Sequence, residues 1–522
     1  MENIEQSNDP IILGARPAVI EHFAINGLFG YRSVSLSSKY AATILIAKNG
    51  AGKTTLLGAM DAFLKCQFER FSELQFTSIE CRLYGIQNEL ILKKSDLDDI
   101  VKKSDNIEFI RLVKQNELDP MDLLYFISGE YPLIKHDSSE LYKHPVYQKI
   151  YLKPNHNRES TIKLLDYLEN LVVPQNSRLE FIRSSIKKAL SDVEVVYLPT
   201  YRRIELSLPE SEESKTYGRT QSIQVKLGLN KRGLQSSEIQ FGLSDISSRL
   251  AKLNQDMLIE SNQGYREISA NIINDLINGA LENDIPNFEE RPSKEALDLF
   301  FSRLKEGGRF VGRYAGPYPE IQIPDFEKIY SEAGIPEQSR KFLTYFLGKL
   351  NRVMQKTRDI EVVVEEFVQN CNRYLSTQDE SVDIPSRPSK SFSNEDNKIL
   401  TLNRRNLGVT VSSLDTNRKI PLDALSSGEK QMISLFARLY LFPKKKILLI
   451  DEPELSLSID WQRKILVDIV SAHSCQQVIA ITHSPFIFDN SLEPFATSLK
   501  LKIDVAAPIT HLPTDDEDEL HA

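Results

Sequence analysis

Residues 42–57 read ATILIAKNGAGKTTLL, and the order of residue types in them decides the architecture. The apolar run 42–47 has the length of a buried strand. A Gly-rich corner breaks it, and from Lys53 onward apolar and small residues recur at helical spacing. Strand, glycine corner, helix is the context in which backbone amides cradle phosphate groups. Asn49, Gly50, Ala51, Gly52, Lys53, Thr54 and Thr55 are therefore the candidate nucleotide-binding residues. Lys53 is suited to neutralise β- and γ-phosphate charge and the Thr54 hydroxyl to bind Mg²⁺. In the usual GxxxxGK[ST] spacing the first glycine falls on Ala47, a minor loss of backbone freedom.

Upstream, from Val19, apolar and polar side chains alternate and then turn, which predicts one strand ahead of the buried run. Residues 74–84 and 89–93 read as further strands of an accessory sheet. Far downstream, residues 447–452 read ILLIDE: four apolar residues bury a strand and two acids emerge at its carboxyl end, where open α/β sheets hold their ligands. Asp451 is the expected Mg²⁺ partner, and Glu452 the base that polarises an attacking water. A helix beginning near Ser427, this acidic strand, the helix WQRKILVDIVSA and the strand QQVIAITHS alternate as a largely parallel sheet requires.

A chain of 522 residues usually forms more than one hydrophobic core. The net charge of −9 argues against a surface that grips nucleic acid everywhere, although a local basic groove stays open. Cys66, Cys81, Cys371 and Cys475 are too few and too scattered for a disulfide scaffold or a paired metal site. Without a basic and apolar leader, or an apolar run of about 18 residues, a cytoplasmic protein with no membrane contact is expected.

LSSGEKQ, residues 425–431, resembles the signature loop of ABC-type ATPases, and IDEPELSLSIDWQ with ITHSP completes the resemblance. The fold this implies is α/β: an ABC-type P-loop ATPase head split by a long, mainly helical insertion, with ATP and Mg²⁺ as cofactors. The resemblance implies that Ser426, Ser427 and Gly428 meet ATP, with Ser426 and Gly428 reaching the γ-phosphate held by a second copy. It puts residues 457–460 at a dimer-contacting loop and makes His483 the switch histidine, catalytic together with Glu452. A head-to-tail dimer follows, with higher assembly allowed. The separation of the lysine and acidic elements by a long insertion is similar to the SMC and RecF group.

The domain boundaries read from this are 1–95 and 398–510 for the two parts of the head, 96–190 and 211–397 for helical insertion lobes, 191–210 for a core strand with an arginine loop, and 511–522 for an acidic tail. VVYLPTYRRIE, residues 195–205, carries Arg202 and Arg203, which suit either a phosphate contact or an interlobe salt bridge. With the core motifs it resembles the Septu-type and retron-associated ATPases of bacterial antiviral systems. That resemblance implies control of a separate HNH-type nuclease, and admits a retron reverse transcriptase with its RNA/DNA product, or other DNA or RNA, as partners. The stretch after His483 is too short for an acidic nuclease domain, so the expected activity is ATP hydrolysis alone, with slow turnover allowed. A RecF-like repair or clamp ATPase and a nucleotide-responsive scaffold are the alternatives.

Gln67 and Gln148 both suit a glutamine loop, and the residues do not choose between them. Lys444, Lys445 and Lys446 read as a solvated strand entrance, and Arg404 and Arg405 as a pair between short strands. His136, His144 and His156 lack metal-ligand spacing and read as surface or helix-packing residues.

Overall fold

The computed structural model describes residues 9–48, 50–97, 107–115, 118–127, 131–135, 138–152, 157–172, 177–199, 243–279, 292–307, 327–330, 335–376 and 397–503. They form two compact units, one from residues 1–238 with 444–522 and the other from residues 239–443.

The chain opens the first unit with β1 (Ile20–Leu28), β2 (Arg32–Ser37) and β3 (Ala42–Ile46), then the helix Lys53–Leu64. β4 (Ser78–Leu83) and β5 (Leu90–Lys93) follow. A run of short helices leads to the longer helices Arg158–Val172 and Ser177–Ala189 and to β6 (Val193–Leu198). The segment expected as a separate lobe, 96–190, does not pack by itself. Its Phe109, Leu165 and Ile182 join Phe23, Leu56 and Phe63 in one continuous core, because the helix Lys53–Leu64 is buried on nearly every side. A helix apolar all round needs partners on all faces; β1, β6, the strand Lys445–Asp451 and the turn at residues 68–71 contact this one, and the helices of 96–190 extend the same core.

The second unit is mainly helical, built on the helices Leu243–Ile277, Lys294–Gly307 and Glu337–Leu375. The two long helices run antiparallel, with Asp275 paired to Lys349 and Gly264 opposite Val353. A Cβ on Gly264 would stand 2.5 Å from Val353 Cγ1, so only glycine allows this approach. Among them Arg303, 2% exposed, donates to Glu361 Oε1 at 2.6 Å and to the Arg404 carbonyl at 2.6 Å. Arg404 in turn donates to Glu361 Oε2 at 3.1 Å, so this arginine is committed to an internal ion network. β7 (Lys398–Asn403), β8 (Gly408–Ser413) and β9 (Lys419–Ile420) make a small antiparallel sheet, and the helix Ser427–Tyr440 closes the unit. Residues 398–443, assigned from sequence to the second part of the head, thus cluster with the helical unit.

The chain returns to the first unit with β10 (Lys445–Asp451), the helix Ile459–Ser471, β11 (Cys475–Thr482), β12 (Ala496–Ser498) and β13 (Lys500–Ile503). β12, β3, β11, β10 and β6 form one sheet in that order, every pair parallel. β13, β2, β1, β4 and β5 form a second, antiparallel sheet. β13 lies within the segment 398–510 assigned from sequence to the head, and its pairing to β2 is visible only in space. Gln477 ties the two sheets: its Oε1 accepts from the Val19 and Ile20 amides at 3.0 and 2.8 Å, and its Nε2 donates to the Ile20 carbonyl at 3.1 Å. Of the three lysines before the acidic strand, Lys444 and Lys445 are exposed as expected. Lys446 is fully buried and donates to the Lys444 carbonyl at 2.6 Å. No described helix is long and apolar enough to cross a membrane.

Candidate functional site

Parallel register gathers three loops at one edge of the sheet. Ile46 of β3 pairs with Thr482 of β11, and Ile481 of β11 pairs with Asp451 of β10. The glycine corner, His483 and Glu452 therefore leave the sheet along one line, at the carboxyl ends where such sheets bind ligands. β10 is held there by burial: Ile447, Leu448 and Leu449 are fully enclosed, each contributing about 1.5–3 kcal/mol relative to exposure.

At the corner, Gly50 and Gly52 adopt φ of 78° and 85°, left-handed conformations that strain any side chain. Gly52 caps the helix Lys53–Leu64 without a side-chain hydrogen bond, which leaves the cap open to a ligand. The first amides of a helix have no intrahelical acceptor, and here they form the positive end of a 12-residue dipole. Arg32 Nη1 donates to the Gly50 carbonyl at 2.8 Å, and the same guanidinium lies 5.0 Å from the Phe29 ring centroid and 5.6 Å from that of Tyr31. Phe29 and Tyr31 are exposed beside the corner, a feature missed in sequence because FGYR reads only as a hairpin turn.

Lys53 is 7% exposed, and its Nζ donates to Glu452 Oε1 at 2.8 Å while also contacting His483 Nε2. His483 Nε2 stands 3.7 Å from Glu452 Oε1. Thr54 Oγ1 donates to Asp451 Oδ2 at 2.6 Å. Lysine, glutamate and histidine form one cluster, and threonine and aspartate an adjacent pair of hard oxygen donors, the chemistry Mg²⁺ requires. Glu452 sits at φ 53° and Ser456 at φ 64°, so the loop after β10 carries two strained non-glycine residues, as functional loops do.

Ser426 is the N-cap of the helix Ser427–Tyr440. Its Oγ accepts from the Glu429 amide and its own amide donates to Glu429 Oε2 at 2.7 Å, a complete capping box. Lys398 fixes Glu429 at 3.0 Å, and Gly428 is buried in the first turn. The structure describes this motif within the second unit alone. Asn49, Arg202 and Arg203 lie outside the described residues, as do His136 and His156. His144 packs face to face on Phe126, with ring centroids 4.1 Å apart. Gln67 accepts from Arg70 at 2.8 Å and Gln148 donates to the Tyr142 carbonyl at 3.0 Å, so each is held locally.

A sequence family described as AAA ATPase domain matches residues 20–488. The chain belongs to that family. The match begins at β1 and ends after His483, so it spans both segments of the first unit and the helical unit between them. No curated protein matches this ATPase. Among solved structures, the Smc head domain of Pyrococcus furiosus, with an extended coiled coil and bound to the C-terminal domain of ScpA, covers 93% of the ATPase. The alignment covers 96% of that chain, at 13% identity and a TM-score of 0.32. The ATPase is thus an α/β P-loop protein whose head is interrupted by a mainly helical segment, the class expected from its motifs.

Proposed function

We propose that this ATPase hydrolyses Mg²⁺-ATP at the carboxyl edge of the parallel sheet and, through its nucleotide state, controls a separate HNH-type nuclease in a bacterial antiviral complex. The observation that carries the hydrolytic reading is the cluster of Lys53, Glu452 and His483, within hydrogen-bond or ion-pair reach of one another. On ATP binding, Lys53 exchanges these partners for phosphate oxygens. Glu452, released from Lys53, takes the proton of the attacking water, and His483 faces the γ-phosphate. Thr54 and Asp451 would hold Mg²⁺, which when bound would neutralise phosphate charge. Phe29 and Tyr31 offer aromatic faces to the base.

In the proposed head-to-tail dimer, Ser426 and Gly428 present the amino end of the helix Ser427–Tyr440 to phosphate held by the second copy, giving two composite sites. The defence role rests on the resemblance of IAKNGAGKTT, VVYLPTYRRIE and IDEPELSLSIDWQ to antiviral ATPases. Measured phosphate release, with and without nucleic acid, tests the first part. Co-purification from the native cell with mass spectrometry tests the second: a stable nuclease partner supports it, and repeated absence of one overturns it.

A further inference from the structure

The loop that follows Glu452 is not merely a connection to the next helix. Glu454 sends its side chain to the strand end that carries His483: Oε1 accepts from the His483 amide at 2.8 Å and Oε2 from Thr482 Oγ1 at 2.8 Å. Thr482 is fully buried, and its hydroxyl oxygen also accepts from the Ser484 amide at 3.0 Å. Ser484 Oγ donates to Gln462 Oε1 at 2.7 Å, and Gln462 Nε2 donates back to the carbonyls of Glu454 and Leu457 at 3.3 and 3.0 Å. These bonds close a ring through three segments: the strained loop after β10, the first turn of the helix Ile459–Ser471, and residues 482–484.

A carboxylate that accepts two donors fixes both in direction, and charge-assisted bonds of this kind are about twice as strong as neutral ones. Here the two donors flank the backbone from which the His483 imidazole reaches Lys53 and Glu452. We propose that Glu454 is a positioning residue for hydrolysis. It acts through His483, with Gln462 bracing it, so that a shift of the loop at residues 454–457 is transmitted to the imidazole. This role rests on the ATPase reading given above. Glu454 touches neither Lys53 nor Thr54 in the described contacts, so it belongs to orientation and not to phosphate binding.

The test compares the full chain with Glu454→Gln, His483→Ala and the double variant, measuring kcat, nucleotide affinity with a fluorescent ATP analogue, and Tm. Glutamine keeps one acceptor but turns an amide toward the second donor. Its kcat is expected to fall about 10- to 100-fold with affinity within about 3-fold, the pattern of an interaction that matters in the transition state. In the His483→Ala background Glu454→Gln is expected to add less than about 2-fold, since residues acting as one unit are not additive. Should Glu454→Gln fold poorly, Thr482→Val removes one of the two bonds and is expected to lower kcat, whereas Thr482→Ser keeps the hydroxyl and is expected to restore it. Unchanged kcat, or additive losses in the double variant, overturns the positioning role while leaving the ATPase reading intact. Absence of turnover in the parental chain overturns both.

Discussion

The ammonium of Lys53 lies 2.8 Å from Oε1 of Glu452, a residue 399 positions later, so the group suited to hold phosphate and the group suited to activate water are hydrogen-bonded partners. Removing either should have different effects. Lys53→Ala is expected to weaken ATP binding by roughly 10- to 100-fold, the loss of one or two charge-assisted bonds. Glu452→Gln is expected to retain binding and to lose about 10²- to 10⁴-fold in turnover, the usual contribution of a positioned base. Equilibrium binding and phosphate release, measured on the same preparations, separate the two. Parental turnover in Glu452→Gln removes that residue from the chemistry.

Thr54 and Asp451 bring hydroxyl and carboxylate oxygens 2.6 Å apart. Thr54→Ser keeps the oxygen and should behave like the parent. Thr54→Val keeps the shape and removes the oxygen, so half-maximal turnover should need about 10-fold more Mg²⁺, the weakening expected when one oxygen ligand is lost. A Mg²⁺ titration of phosphate release gives the answer, and identical curves for serine and valine would exclude the hydroxyl.

At Ser426 stability and function can be pulled apart. Ser426→Ala removes the cap from the helix Ser427–Tyr440 and should cost about 0.5–2 kcal/mol in denaturant unfolding. Ser426→Asp restores a capping oxygen, so stability should return, but a negative charge at that turn repels phosphate. The aspartate variant is expected to be as stable as the parent and far less active. Full activity in Ser426→Asp would show that no phosphate approaches this turn.

Glu361 gives the helical unit a pH dependence. Burial alone would raise its carboxyl pKa, but hydrogen bonding and charge from Arg303 and Arg404 outweigh burial and hold it below the usual 4.5. A carboxylate lowered in this way adds stability at pH above its unfolded value and loses it as pH falls through the folded value. Glu361→Gln should therefore be less stable than the parent at neutral pH by about 3–5 kcal/mol, as when one member of a buried pair is removed. The gap should narrow below about pH 4.5. A Tm series from neutral to acid pH for both chains checks the sign.

Much of the site was legible because its signals are local. A strand, two glycines and a lysine within 42–57, and an apolar run ending in Asp451 and Glu452, name their own chemistry. The signature motif announced a helix start near Ser427, while the capping box that Glu429 completes emerged only in the structure. What escaped was non-local. Glu454 is one more acid in the sequence until Thr482 and His483 are seen to donate to it. Gln477 reads as an ordinary polar residue in a strand, yet it is fully buried between two sheets because the Ile20 backbone needs a partner there. The helices within 96–190 looked like an appendage because amphipathic pattern does not say which surface a helix covers. They extend the same core as the helix Lys53–Leu64, and the helix Ser177–Ala189 packs on β5.

The strand order also governs how the protein is made. Among the described strands, β3 pairs only with β11 and β12, and β6 only with β10, so neither finds a sheet neighbour until residues from Lys445 onward leave the ribosome. At about 5–20 residues per second, β6 waits on the order of tens of seconds with an open edge. Throughout that interval the nascent chain exposes Ile44, Leu45, Val195 and Val196, side chains that end up buried. Shielding of those edges is therefore expected to raise the soluble yield, which translation with and without added chaperones would measure.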